Sequence, residues 1–280
     1  TNKGKVYKAK GYEIPEFSRT AKGIPIINLL KFDKDEWVNT VIPVNEVEDD
    51  WYLFFTTKHG ISKRCSVSSF SNIRTNGLIA LHLKEGDELI SVRLTDGNKD
   101  ILIATKNGML IRFSEEDVRS MGRMATGVKG IQLDRDDEVI GMETLDKDDK
   151  SDILIVTKNG YGKRTAAEEY RIQNRGGKGL KTCHITEKNG ELVAMKAVSG
   201  EEDLMVITTG GILIRIPVDD ISRMGRNTQG VKLIRLDEVE NESVATVAIV
   251  EKEEDMENDG DGEKNEETGG QLNGEEASEE

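Results

Sequence analysis

Two cysteines in 280 residues, Cys65 and Cys183, lie far apart and show no CxxC spacing. That excludes a disulfide framework and a cysteine-based zinc site, and it fits a reducing, cytosolic setting. Long apolar runs are also missing. The longest, such as Ile153 to Val156, are strand-sized, and no stretch resembles a signal peptide or a membrane span. The sequence lacks a Gly-x-Ser-x-Gly elbow, a Walker loop, an HExxH motif and any His/Cys cluster. It therefore reads as no enzyme by itself, with no catalytic residue, metal ligand or cofactor of its own. Aromatics make up only 5% and none recurs in the loops, which argues against base stacking on single strands. No recognition helix is suggested, so reading of base edges is not expected.

Charge is abundant but unevenly placed. The net charge is −14, yet residues 251–280 hold 14 acids and two bases, leaving 39 acids and 37 bases in the first 250 residues. A nearly neutral domain over 1–250 followed by a disordered acidic tail over 251–280 is expected. That tail could compete with a polyanion for basic residues of the same chain.

The strongest internal signal is repetition. Thr- and Lys/Asn-rich turns end in Gly4, Gly60, Gly108, Gly160 and Gly211. A second glycine followed by an apolar residue recurs at Gly23, Gly77, Gly127, Gly179 and Gly230, separated from the first by 19, 17, 19, 19 and 19 residues. Before each first glycine from Gly60 onward lies a continuous apolar run, as in Ile101–Ile103, suited to a strand buried on both faces. After the turn a second strand is expected, then a polar loop, an alternating third strand such as Val231 to Leu236, an Asp-Glu turn and a fourth strand. Five copies of about 50 residues with four strands each predict an all-β, propeller-like architecture. An open β-solenoid or two unrelated β domains are the alternatives. The first copy begins at its turn, without a preceding apolar strand, so its unit reads as truncated.

Aligning the copies shows which residue types recur. Four positions after the first glycine stand Lys8, Arg64, Arg112, Arg164 and Arg215. Four before the second glycine stand Arg19, Arg123, Arg175 and Arg226, with Arg74 one place later in the shorter copy and Lys22 beside Gly23. Two after the second glycine stand Lys129, Lys181 and Lys232. The densest copy is the string Arg171, Gln173, Arg175, Gly176, Gly177, Lys178, Gly179 and Lys181. In a radial fold these positions form a belt. Guanidinium forks match phosphate oxygens, and glycines admit close approach of backbone N–H groups, so the belt points to duplex DNA held by its phosphates. The bland alternative pairs each arginine with an acid of a neighbouring blade. Asn28, His82, Gln132, His184 and Arg235 also align, and read as outward-facing strand positions; His59 is assigned no role.

The repeat, and above all Gln173 to Gly179, resembles the C-terminal domain of bacterial DNA gyrase A; Gly4 to Lys8, Gly23 to Leu29, Asn159 to Thr165 and Gly225 to Gly230 support the likeness. The resemblance implies a six-bladed β-pinwheel whose blades exchange strands and whose basic rim wraps duplex DNA with one hand. It further implies partnership with the remainder of the gyrase A polypeptide, and with gyrase B in an A2B2 enzyme. ATP and Mg would be bound elsewhere in that enzyme, which would act in the bacterial cytoplasm at the nucleoid. Asn174 departs from the family's Gln-Arg-Arg-Gly-Gly-Lys-Gly box, and the string stands in the fourth copy rather than a first blade. The competing readings are the related domain of topoisomerase IV, a protein-interaction propeller and, more distantly, an enzymatic propeller.

Overall fold

A computed structural model describes residues 1–18, 20–44, 50–237 and 241–252. Arg19 and the expected acidic tail from 253 onward lie outside the described residues. The architecture is all-β, with short 3-10 turns as its only helical pieces among the described residues.

Each repeat after the first starts from its apolar run. Strands β6 (Asp100–Thr105) and β10 (Asp152–Thr157) are buried along their whole length, as the sequence predicts for strands covered on both faces. Strands β2 (Tyr52–Thr57) and β14 (Glu202–Thr208) occupy the same place in their units. The recurrent Thr-x-x-Gly turn has a physical cause: the Oγ1 atoms of Thr57, Thr105 and Thr157 accept the N–H groups of Ile61, Met109 and Tyr161 at 3.2–3.3 Å. Gly60, Gly108 and Gly160 between them adopt φ of 77–82°, the left-handed conformation that favours glycine.

The chain then reverses into β3 (Ile61–Ser66), β7 (Met109–Ser114), β11 (Tyr161–Ala166) and β15 (Leu213–Pro217). On the other side of each first strand lie β5 (Leu89–Thr95), β9 (Val139–Leu145), β13 (Leu192–Val198) and β17 (Val244–Glu251). The Asp-Glu turns that launch them are capped. Asp87 accepts from Thr57 Oγ1 and the His59 N–H, and Asp137 accepts from the Asn107 N–H.

The third strand differs from expectation. Instead of the six residues expected from Val231 to Leu236, only Val231–Lys232 forms a strand, β16; its counterparts are β4 (Leu78–Ile79), β8 (Val128–Lys129) and β12 (Leu180–Lys181). Each pairs with the second strand of the preceding unit: β4 with β1 (Lys5–Val6), β8 with β3, β12 with β7 and β16 with β11. The ladder ends because Leu233 and Ile234 both donate to the Gly160 carbonyl, which turns the chain and sends Ile234 into the core. Four-stranded sheets are therefore composite, three strands from one repeat and one from the next.

Strand exchange is matched by apolar layers between repeats. Leu102, Leu110 and Leu145 pack against Ile153, Ile155 and Met195, and Leu154, Val156 and Val198 against Leu204, Val206 and Val247. Full burial of such side chains contributes roughly 1.5–3 kcal/mol each. At the inner edge, Val139, Leu192 and Val244 donate to the carbonyls of Lys58, Lys106 and Lys158 in the preceding repeat, each at 2.9 Å. The last sheet contains three strands, β15-β14-β17, and Ile212 and Leu213 at its outer edge stand half-exposed.

Candidate nucleic-acid interface

In the third, fourth and fifth repeats the outer loop runs from the second strand to the short exchanged strand. It follows the preceding unit's second strand, because Met121 donates to Arg64 O, Gln173 to Arg112 O and Met224 to Arg164 O. The arginine four places before the second glycine is thereby carried to the boundary between repeats. Arg175 donates from Nε to Asp117 O at 2.8 Å and from its terminal nitrogen to Lys129 O at 3.1 Å. Arg226 repeats the arrangement, donating to Lys181 O at 3.4 Å. Two successive boundaries thus bring a lysine of one repeat beside an arginine of the next, Lys129 with Arg175 and Lys181 with Arg226.

The lysines Lys129, Lys181 and Lys232 are exposed, as are Arg74, Arg171, Lys8 and Lys22, while Arg123, Arg175 and Arg226 are partly covered. Lys178 is exposed and lies 2.5 Å from Asp134; an open pair of this kind contributes little stability. Gln173 is half-buried, and its side-chain nitrogen has no hydrogen-bond partner among the described residues. The belt is not uniformly cationic: Glu116, Asp117, Glu168, Glu169, Asp219 and Asp220 begin the same loops.

Two groups of these residues are engaged within the fold. The arginines four places after the first glycine belong to ion pairs within the fold. Arg112 is buried and donates from Nε to Asp100 at 2.9 Å and to Ala167 O at 3.0 Å. Arg215 donates to Asp203 at 2.7 Å. Arg164 lies between Asp152 and Asp219 at 3.8 and 3.4 Å. Arg64, in a repeat that has Tyr52 where the others have aspartate, rests on the Tyr52 ring and stands 3.7 Å from Glu115. The partner was legible, because Asp100, Asp152 and Asp203 each precede their arginine by 12 residues.

The glycines of the string serve packing rather than an open amide cradle. The Gly176 N–H is used by Gly130 O at 2.6 Å, and the Gly177 carbonyl accepts from Gln132. Gly179, at φ 79°, lies so close to β7 that an added Cβ would stand 2.7 Å from the Leu110 carbonyl carbon. Sequence reasoning also missed Arg119, which aligns with Arg171 eight places before the second glycine and is exposed like it. It missed Lys63 and Lys163 as well, two fully buried lysines beneath the loops. Asn28, His82, Gln132, His184 and Arg235 are exposed, as expected, but none of them lies in a strand, because the third strand ends after two residues. Among the described residues no group of three or more His, Cys, Asp or Glu could hold a metal ion. No helix among them is long and apolar enough to cross a membrane.

The repeats coincide with a known family unit. The model of the DNA gyrase C-terminal domain, a β-propeller, matches residues 1–45, 52–96, 99–146, 151–199 and 202–251, one match per repeat. The chain belongs to that family. It is 55% identical over 256 residues to the DNA gyrase A protein of Staphylococcus epidermidis, covering 91% of this chain and 28% of that protein. It is 52% identical over 260 residues to the Staphylococcus aureus protein of the same name, covering 92% and 29%. The chain thus spans less than a third of the curated relatives' length.

Among solved structures, a DNA gyrase A C-terminal domain superposes with a TM-score of 0.76 at 26% identity, covering 89% of this chain and 80% of that one. A C-terminal domain of DNA topoisomerase IV gives 0.82 at 27%, covering 89% and 77%. Fold likeness alone does not separate the two relatives. The 51–55% identity to gyrase A proteins favours the gyrase family.

Proposed function

We propose that this domain binds duplex DNA without sequence preference along its outer rim, and bends it with a fixed hand so that gyrase can introduce negative supercoils. The observation that carries the reading is the juxtaposition of Lys129 with Arg175 and of Lys181 with Arg226 at successive repeat boundaries. Cations placed at the repeat interval follow a curved path, as a phosphate backbone bent over the rim would. Bending 20–30 base pairs by 40–90° costs roughly 1–6 kcal/mol, which several charge contacts made together can offset. The domain supplies no chemistry in this reading. The remainder of gyrase A breaks and rejoins DNA, gyrase B binds ATP with Mg, and the assembly works in the bacterial cytoplasm at the nucleoid.

The test is the linking number of a nicked plasmid religated with the chain bound. A shift whose sign is constant across protein concentrations is expected, together with log K falling linearly in log salt. Salt-sensitive binding without a shift would remove wrapping from the reading. Absence of both would leave a protein-interaction propeller as the better account.

A further inference from the structure

Lys63 and Lys163 occupy equivalent places in alternate repeats, three residues after the first glycine, and both side chains are fully buried. Lys63 Nζ donates to Ala80 O at 2.7 Å and to the carbonyl of Arg123. Lys163 Nζ donates to Gly225 O at 2.6 Å and to Arg226 O. Each ammonium therefore reaches from one repeat into the arginine-bearing loop of the next. Neither forms an ion pair among the described residues.

The third repeat, which lies between them, shows that the fold does not need a cation there. Ile111 fills the place buried, and Ile214, in the fifth repeat, fills it partly buried. Beside Ile111 the loop with Arg175 is held instead by backbone bonds, Gly176 N–H to Gly130 O and Gln132 N–H to Gly177 O. A buried cation without a carboxylate costs stability that isoleucine would not. Its persistence at two sites under the basic rim points to a use outside folding.

We propose that Lys63 and Lys163 are positioning residues for the rim: each fixes the loop that presents Arg123 or Arg226, and each adds its own charge beneath the phosphates. This rests on the duplex-binding reading above. The groups that face them are few. Cys65 and Arg123 act on Lys63, which also lies 6.0 Å from the Phe55 ring; Cys183, Glu169 and Arg226 act on Lys163. Burial pushes both lysines down to about 8, well below a free lysine. Phosphates arriving overhead favour the charged form, so binding near that pH draws in protons and weakens as pH rises.

The experiment compares the wild-type chain with the Lys63→Met/Lys163→Met variant for binding a 40-base-pair duplex by anisotropy, from pH 7 to 9.5. Calorimetry in buffers of different ionisation enthalpy counts protons taken up, and hydrogen exchange of residues 222–230 without DNA reports loop order. We expect the variant to bind about tenfold more weakly at pH 7. We also expect it to lose the proton uptake and pH dependence of the wild type above pH 8, and to exchange faster in 222–230. A variant with wild-type affinity and pH profile overturns the charge role, and unchanged exchange overturns the anchoring. Failure of the wild type to bind at any pH removes the duplex reading and the charge role with it. Exchange still decides the anchoring in that event.

Discussion

Replacing Gly179 by alanine isolates the interlock between repeats. Gly179 has φ 79°, a region that costs an L-residue roughly 1–2 kcal/mol. Its Cβ would also lie 2.7 Å from the Leu110 carbonyl carbon and 2.9 Å from the Ile111 nitrogen, both backbone atoms of β7 that cannot rotate away. Forcing β7 and the loop apart resembles overpacking a core, typically about 1–3 kcal/mol more. The combined loss is about 2–5 kcal/mol, or on the order of 10 °C in melting temperature for a domain of this size. Two other glycines of the outer loops serve as controls. Gly176 has φ 80° but its nearest neighbour, Lys129 O, would be 3.4 Å from the new Cβ, so alanine there bears only the conformational cost of roughly 1–2 kcal/mol. Gly225 would meet only Glu169 at 3.9 Å, and alanine there should change stability by less than about 0.5 kcal/mol. Thermal unfolding followed by circular dichroism should rank the three 225, 176, 179 in increasing damage. If Gly179→Ala melted with Gly176→Ala, the close approach of loop and strand would not be what requires glycine at 179.

Arg112→Met should lower stability by about 3–5 kcal/mol in urea titrations, because it leaves Asp100, 1% exposed, without its cation. The double variant Arg112→Met/Asp100→Leu should recover most of that. Lys129→Gln, at an exposed position, should weaken duplex binding uniformly across sequences and reduce the salt slope by about 0.9, leaving the melting temperature unchanged. Folding stability should rise with pH as well. The unfolded lysines keep their proton to 10.5 while folded Lys63 and Lys163 release it near 8, so the unfolded state binds more protons between these values and stability climbs across that window. Lys163→Met should reduce the climb measured by denaturant midpoints, and an unaltered climb would show that Lys163 is not its source.

Most of the fold was readable because the repeat imposes one local rule several times. The Thr-x-x-Gly turn and the capped Asp-Glu turn depend on residues within one copy, and the apolar run of the first strand is continuous in sequence. What was not readable depends on partners in other copies. The third strand looked six residues long from its alternation, yet Gly160 of the preceding repeat ends it after two. The glycines of 176–179 looked open to close approach of a phosphate backbone, and only the proximity of Gly130 and Leu110 shows them to be packing sites. Arg112 and Lys129 recur with similar regularity, and recurrence alone cannot tell a buried ion pair from a rim charge. The aspartate 12 residues before Arg112 could have told them apart.

The same exchange that shapes the sheets also places the cations. A strand of two residues is too short to hold a repeat by itself, so the loop before it must grip the neighbouring strand along its length. That grip brings Arg175 onto the Lys129 carbonyl and Arg226 onto that of Lys181, and it brings Arg123 and Arg226 over buried lysines. The spacing of charge along the rim is thereby tied to the rotation from one repeat to the next. A change that altered the packing between repeats would move the phosphate path even with every basic residue kept. Gly179→Ala is such a change. At temperatures where it remains folded, it should shift the linking number of bound plasmid more than it weakens binding to a short linear duplex, which samples only one or two boundaries. Equal losses in both assays would mean that the rim acts as a set of independent charges, with no contribution from the angle between repeats.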